Sequence, residues 1–267
     1  MKRTISLALC LVLLLGLAAC GGNDFEDAMA KAQAASAELK SMHVDMDMNM
    51  AFSMSAQGQS VDMPISMSMA MDVINEPLKC DSTVSMNMFG TEISTRSYVT
   101  EVDGSYMAYA SSDGGATWLS QPISEGDLGQ YDAAQSLEFY LSAAESFSLT
   151  GEEDLDGVKA LRYDGALTGD KLNEAMALTG ADDMVASTTG TAAPSFEGSM
   201  PMTIWLDSET FLPLRYDLDM GEIMTSYMQQ SVDESQGVTV DSVTATVSMR
   251  LSNFDGISDI ATPEGVA

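Results

Sequence analysis

Positive charge is scarce in this chain. Eleven lysines and arginines stand against 40 aspartates and glutamates, a net charge of −29 over 267 residues. That field repels polyanions, so nucleic acid is excluded as a partner, and so are anionic lipid headgroups. Histidine is scarcer still. Any Ser-His-Asp or Cys-His centre would have to use the single histidine, His43, which lies between Met42 and Val44 in an alternating stretch and reads as a surface side chain. No G-x-S-x-G, H-E-x-x-H, C-x-x-C or phosphate-loop pattern occurs. Paired carboxylates carry no weight in so acidic a chain. No catalytic residue, metal or cofactor is therefore assigned. Cysteine is limited to Cys10, Cys20 and Cys80, too few for a disulfide framework.

What is present begins at the N-terminus. Lys2 and Arg3 form a basic head, and Ile5 to Leu15 is an apolar run too short to span a bilayer. Leu17-Ala18-Ala19-Cys20-Gly21 follows, and it resembles a bacterial lipobox. The resemblance implies that residues 1–19 are a lipoprotein signal peptide. Cys20 then takes a diacylglyceryl group, and residues 20–23 are a tether. Two acyl chains, at ~0.8 kcal/mol per buried methylene, hold firmly where one holds marginally. The expected location is the outer face of the cytoplasmic membrane. Cys80 alternates with Leu78, Val84, Met86 and Met88, which suggests a buried, inert thiol, with a reactive one as the alternative.

From residue 24 to residue 267 no composition break marks a boundary, so a single domain is expected. Asp24 to Lys40 carries Phe25, Ala28, Met29, Ala32, Ala35 and Leu39 on one helical face. The period then changes to two. Met42, Val44, Met46, Met48, Met50, Phe52 and Met54 share one strand face; His43, Asp45, Asp47 and Asn49 share the other. Val61 to Val73, Leu78 to Phe89, Glu92 to Val102 and Ser105 to Ser111 continue an antiparallel meander with one apolar face. Strands this long twist and curl. After Trp118 a loop is expected through Gly129, then a helix from Tyr131 to Phe147. Strands follow at Phe147–Gly151 and Val158–Leu167, with the acidic run Glu152–Asp156 between them as a solvated loop or, less simply, a divalent-cation site. A short helix from Gly169 to Leu178, a loop from Gly180 to Ser199, a hairpin from Met200 to Met220, a helix at Glu222–Gln230 and an alternating strand from Val238 to Phe254 complete the chain. In that strand Val238, Val240 and Ser242 fall on one face, with Val243, Ala245 and Val247 on the other.

This order, with Trp205-Leu206-Asp207 leading to Leu212-Pro213-Leu214 and a last strand ending Asn253-Phe254-Asp255-Gly256-Ile257, resembles the LolA-like lipoprotein fold, including LppX- and LprG-type lipoproteins. It is most similar to uncharacterised surface lipoproteins of Gram-positive bacteria. The resemblance implies an α+β fold, a strongly curved antiparallel sheet (an incomplete barrel) with helices covering its concave apolar face. It also implies a non-enzymatic role in binding or carrying acylated molecules.

The methionines bear on that role. Eleven of the chain's 22 lie between Met42 and Met88. Methionine has weaker strand preference than Val or Ile, but it is unbranched and polarizable and repacks around varied apolar partners. A sheet needing only a core would favour branched residues. The candidate cavity residues are Met46, Met48, Met50, Phe52, Met67, Met69, Met71, Met86 and Met88, for a lipid or other acylated ligand. The alternatives are an ordinary core under a helical lid, in a scaffold lipoprotein with no ligand, and a Cu(I) site, which thioethers could serve, although His43 points to the opposite face and no methionine cluster combines with Cys or His.

Two local motifs resolve differently. Asp45-Met46-Asp47-Met48-Asn49 begins like a calcium loop, but Met50 and Ala56 stand where Gly and Glu are needed. Ser111 to Trp118 matches the Asp-box pattern S-x-D-x-G-x-T-W in full. One copy makes a stable hairpin turn, not a propeller.

Overall fold

The structure, a computed structural model, describes residues 24–56, 59–123, 147–178, 195–231 and 238–266. The signal peptide, Cys20 and its tether lie outside these residues, as do nearly all of the expected 131–147 helix and most of the 180–199 loop.

One antiparallel sheet of eleven strands organises the chain: β1 (Ser41–Ala56), β2 (Gln59–Ile74), β3 (Lys79–Met88), β4 (Thr91–Val102), β5 (Ser105–Ser111), β6 (Leu119–Pro122), β7 (Ser148–Leu155), β8 (Val158–Thr168), β9 (Ser199–Asp207), β10 (Pro213–Asp219) and β11 (Val238–Ser252). Their spatial order is β6-β5-β4-β3-β2-β1-β11-β10-β9-β8-β7. The sheet is curved and open, and three helices, α1 (Asp24–Ala37), α2 (Gly169–Leu178) and α3 (Gly221–Ser231), accompany it among the described residues. β6 and β7 form the two opposite edges, so Ile123 and Phe147 stand at opposite ends of the strand order.

The expected alternation is what pairs the strands. Val44 faces Met71, Met46 faces Met69 and Met48 faces Met67 on β2. On the other side Val44 faces Leu251 and Met48 faces Val247 of β11. Residues directly opposite in an antiparallel pair share a face, so apolar rows run across the sheet. Helices cover this inner face. Ala28, Met29 and Ala32 of α1 and Leu172 and Ala175 of α2 are buried with Met42, Val44, Tyr163, Ile204 and Leu206. Phe25 stacks on Phe147, ring centroids 5.4 Å apart, and tilts against Tyr163 at 5.3 Å. Phe147 lies directly over Gly165: a Cβ there would sit 2.4 Å from the ring, so only glycine admits this contact. The third helix lies along β11, where Met220, Met224 and Met228 pack on Met50, Phe52, Met54, Val240 and Val243.

Four expectations need correction. The first helix ends at Ala37, not Lys40. Lys40 and Ser41 give their backbone N–H groups to Asp255 Oδ1 instead (2.7 and 3.4 Å), which ties the chain's entry into β1 to the end of β11. A four-residue strand, β6, forms where a loop was expected after Trp118. The acidic run is mostly strand: β7 continues to Leu155, and Asp156-Gly157 alone make the turn. Finally, Val240 lies on the inner face. The register slips between Ser53 and Met54 because Asp241 is an extra residue on β11, which brings Val240 opposite Met54. A bulge of this kind turns a strict two-residue period over to the other face.

Candidate functional site

The candidate cavity residues all project from the inner face, and cross-strand register arranges them in rows. One row is Val84, Met69, Met46, Met249 and Tyr216; the next is Ile93, Met86, Met67, Met48, Val247 and Leu218; a third holds Met88, Ile65, Met50 and Ala245. The nine residues do not all share one environment. Met69 and Met71 pack against the main core, and Met50 and Phe52 against α3. Those four are used, at least in part, as ordinary core. Met46, Met48, Met67, Met86 and Met88 are half-buried and join none of the packed clusters formed by the described residues. They form a contiguous thioether patch over β1, β2 and β3.

Burial grades along this face. At the α1 end Met42, Val73, Cys80 and Val99 stand in one row and are sealed, Met42 at 1% exposure. Burial pushes the Cys80 thiol up to about 12, so it stays protonated and inert. At the hairpin-tip end Val61 and Ile93 reach 52% exposure.

The outer face has a different chemistry. Trp205, 5% exposed, lies between Arg162 and Arg215, whose guanidinium carbons are 5.4 and 4.9 Å from its ring centroid. Its indole N–H donates to Glu153 Oε2 at 2.9 Å, and Arg162 donates to Glu153 Oε1 at 2.8 Å. Arg162 and Trp205 together hold Glu153 below the usual carboxylate range. Partial burial pushes Asp164 up, but hydrogen bonds from Thr150, Thr203 and Arg162 outweigh it and its pKa is lowered. Arg215 grips Asp217 with two bonds, at 2.8 and 2.7 Å. Glu153, read from the sequence as part of a solvated loop, is thus a partner of this cluster. The alternation of Arg162, Trp205 and Arg215 with apolar neighbours was the available signal.

His43 also points outward, to Asp72 Oδ1 (2.6 Å) and Asp45 Oδ2 (3.3 Å), away from every thioether. No group of three or more His, Cys, Asp or Glu side chains among the described residues is placed to hold a metal ion. Hollows of about 430 Å³ and 710 Å³ mix carboxylates with apolar side chains: Asp47, Asp164 and Asp217 beside Met202 and Leu218 in the first, Asp154, Asp156 and Asp207 beside Leu212 and Phe254 in the second. An acyl chain there would lie against carboxylates, which the thioether patch lacks.

The Asp-box is a turn. Asp113 accepts from the backbone of Ala116 and Thr117 and from the hydroxyls of Ser111 and Thr117. These bonds, led by Thr117, hold Asp113 at about 2. Trp118 below it donates to the Glu264 carbonyl (3.0 Å), so the turn clamps the C-terminal tail. That tail, unread in the sequence, crosses the outer face. Ile257, Ile260 and Val266 pack on Tyr98 and Tyr109, and Lys79 pairs with Asp259 at 2.7 Å.

The open, curved antiparallel sheet with helices against its apolar face is a fold that this chain shares with LprF. The chain belongs to the family described as "Family of unknown function (DUF6612)", which it matches over residues 24–267. Among solved structures it is similar to LprF from Mycobacterium bovis, with a TM-score of 0.54 and 15% identity over 92% of this chain and 99% of that one. The lipoprotein LppX from Mycobacterium tuberculosis is 14% identical with a TM-score of 0.45, covering 90% of this chain and 100% of that one. No curated protein matches the chain. At these identities the likeness is one of fold.

Proposed function

We propose that this chain is a non-enzymatic extracytoplasmic lipoprotein, anchored to the outer face of the cytoplasmic membrane through Cys20, that holds or hands over an apolar, acylated ligand against the methionines of its inner face. The carrying observation is the set of five half-buried methionines, Met46, Met48, Met67, Met86 and Met88, contiguous across three strands and outside the packed clusters of the described residues. Fully burying one such side chain is worth ~1.5–3 kcal/mol, so a cover for the patch is strongly favoured. Thioethers suit a cover that varies in shape. The LolA-like fold supports the same reading, since the sequence resemblance implies acyl-chain binding for it. No described helix is long and apolar enough to cross a membrane, so membrane attachment in this reading falls to the lipid on Cys20.

The experiment is native mass spectrometry of the chain from residue 24 onward, purified without detergent, followed by titration with a fluorescent fatty acyl probe. A co-purifying mass in the lipid range, displaced by the probe, is the expected result. An unliganded protein that also leaves the probe free would overturn the reading. It would favour the scaffold alternative, for which the core use of Met50, Phe52, Met69 and Met71 already speaks.

A further inference from the structure

Three two-residue hairpin turns in the sheet have the same backbone. Their central pairs are Phe89-Gly90, Asp103-Gly104 and Asp156-Gly157, each with both residues at positive φ. The flanking register partners, Met88 with Thr91, Val102 with Ser105 and Leu155 with Val158, confirm the two-residue loops. Such turns favour Asn, Asp or Gly at the first position, because a Cβ-bearing side chain is crowded in the left-handed region and short polar ones tolerate it best. Two of the three turns obey. The third carries phenylalanine at φ 55°, and that ring is 67% exposed. Phe89 therefore incurs both a conformational cost and a hydration cost, and packing recovers little of either. Phe211, the other positive-φ phenylalanine, differs: it packs against the main core under the Lys31 ammonium, 4.4 Å from its ring centroid.

Phe89 is also not alone. Val61 and Ile93, each 52% exposed, lie on the inner face at the same end of the sheet, opposite Met54 and Met86. Charge is missing from the inner face there as well. In a chain of 40 acidic residues, residues 48–61, 63–71 and 82–91 contain no charged side chain. The acids at this end, Asp62 beside Val61, Glu92 beside Ile93 and Asp241, alternate onto the outer face, where Asp62 accepts from Ser53 and Asp241 from Ser55.

We infer that the inner-face rim at the β3–β4 turn and the adjoining start of β2 is a docking surface for the interface of an uncharged lipid bilayer, with Phe89, Ile93 and Val61 as its inserting side chains. An exposed aromatic ring beside an uncharged inner edge fits a lipid surface, which asks for no matched partner groups, while Asp62 and Glu92 on the outer side of the same hairpins stay in water. That sidedness matters because each carboxylate brought into the interface would have to be desolvated. The apolar face is continuous from this rim to the thioether patch, so the rim also lies at the open end of the face that the proposed ligand would use. The inference stands apart from that ligand: a rim can dock whether or not anything fills the patch.

The test compares the chain from residue 24 onward, which contains every described element and the whole family match, with its Phe89→Asn and Phe89→Asn/Ile93→Ser/Val61→Ser variants in co-sedimentation with phosphatidylcholine vesicles. Native binding is expected to be little affected by salt, and weaker on vesicles containing phosphatidylglycerol, with added salt restoring part of it as the repulsion is screened. Phe89→Asn is expected to lower the partition coefficient several-fold, and the triple variant at least about tenfold, as the inserted apolar area shrinks. Thermal melting keeps the result interpretable, because Asn suits the turn: Phe89→Asn is expected to melt at or above the native temperature. Equal vesicle binding by native protein and triple variant would overturn the inference. So would absence of native binding, or a concentration-dependent dimer that Phe89→Asn abolishes, since the rim would then serve a second copy. Native mass spectrometry of the same samples separates the two proposals, because vesicle docking can fail with ligand retained, or persist with none.

Discussion

The two faces of β1 differ in how they are held. Inward, Met46 and Met48 meet other thioethers and aliphatic groups, contacts with no preferred direction. Outward, the same sheet is fastened by directional bonds: Arg96 to Asp81, Arg162 to Glu153 and Asp164, Arg215 to Asp217, Trp205 to Glu153. Charge-assisted and bidentate bonds specify geometry, while methionine adapts to it. The lesson is a division of labour within single strands. On the outer face, bonds such as Arg96 to Asp81 and Arg162 to Glu153 tie neighbouring strands together, while the inner-face thioethers can repack without breaking them.

The sharpest break is on the outer face. Trp205→Ala removes a nearly buried ring that two arginines flank, and leaves Glu153 without one donor. A loss of ~3–5 kcal/mol in urea unfolding is expected. The inner face should respond in the opposite sense. Met48→Leu with Met67→Leu conserves volume, so each change should cost below about 1.5 kcal/mol. Binding should change more: competition among acyl probes of different length is expected to show a narrower preference for the double variant. Equal losses of stability from both faces would erase the proposed division.

The smallest effect concerns His43. Partial desolvation pulls its pKa down, but Asp72 and Asp45 outweigh this and the pKa is raised. Asp81, paired with Arg96, lines the same shallow hollow. A raised pKa means that the folded state binds the proton more tightly. The contribution is fully present below the unfolded value of about 6.5 and is lost as pH rises through the folded value. Denaturation midpoints of the native chain should therefore fall slightly over that window, by less than about 1 kcal/mol for so exposed a cluster. In His43→Gln that part of the slope should vanish.

Much of this was legible because alternation is a local signal. Period two from Met42 to Met54 and from Val61 to Val73 gave strand identity and face, and Asp103-Gly104 and the Asp-box gave turns. The misreadings share a cause. Glu152–Asp156 looks like a loop by charge, but Glu153 is satisfied by Arg162 and Trp205, residues far along the chain or on another strand. Lys40 leaves the helix for Asp255, and Val240 changes face through a bulge that only pairing with Met54 reveals. Of the nine candidate residues, the sequence could place all on one face, but not divide those packed by α3 and the core from the five beyond them.

The amino-acid order alone determined which side chains share a face, because a strand turns successive residues to opposite sides regardless of its neighbours. The tertiary structure decided which of those faces is covered, and by what. Burial depends on which helices and which tail land on the sheet: α1 comes from the residues just before β1, but α3 reaches Met50 and Ile260 reaches Tyr98 from distant parts of the chain, and no local period encodes where they land.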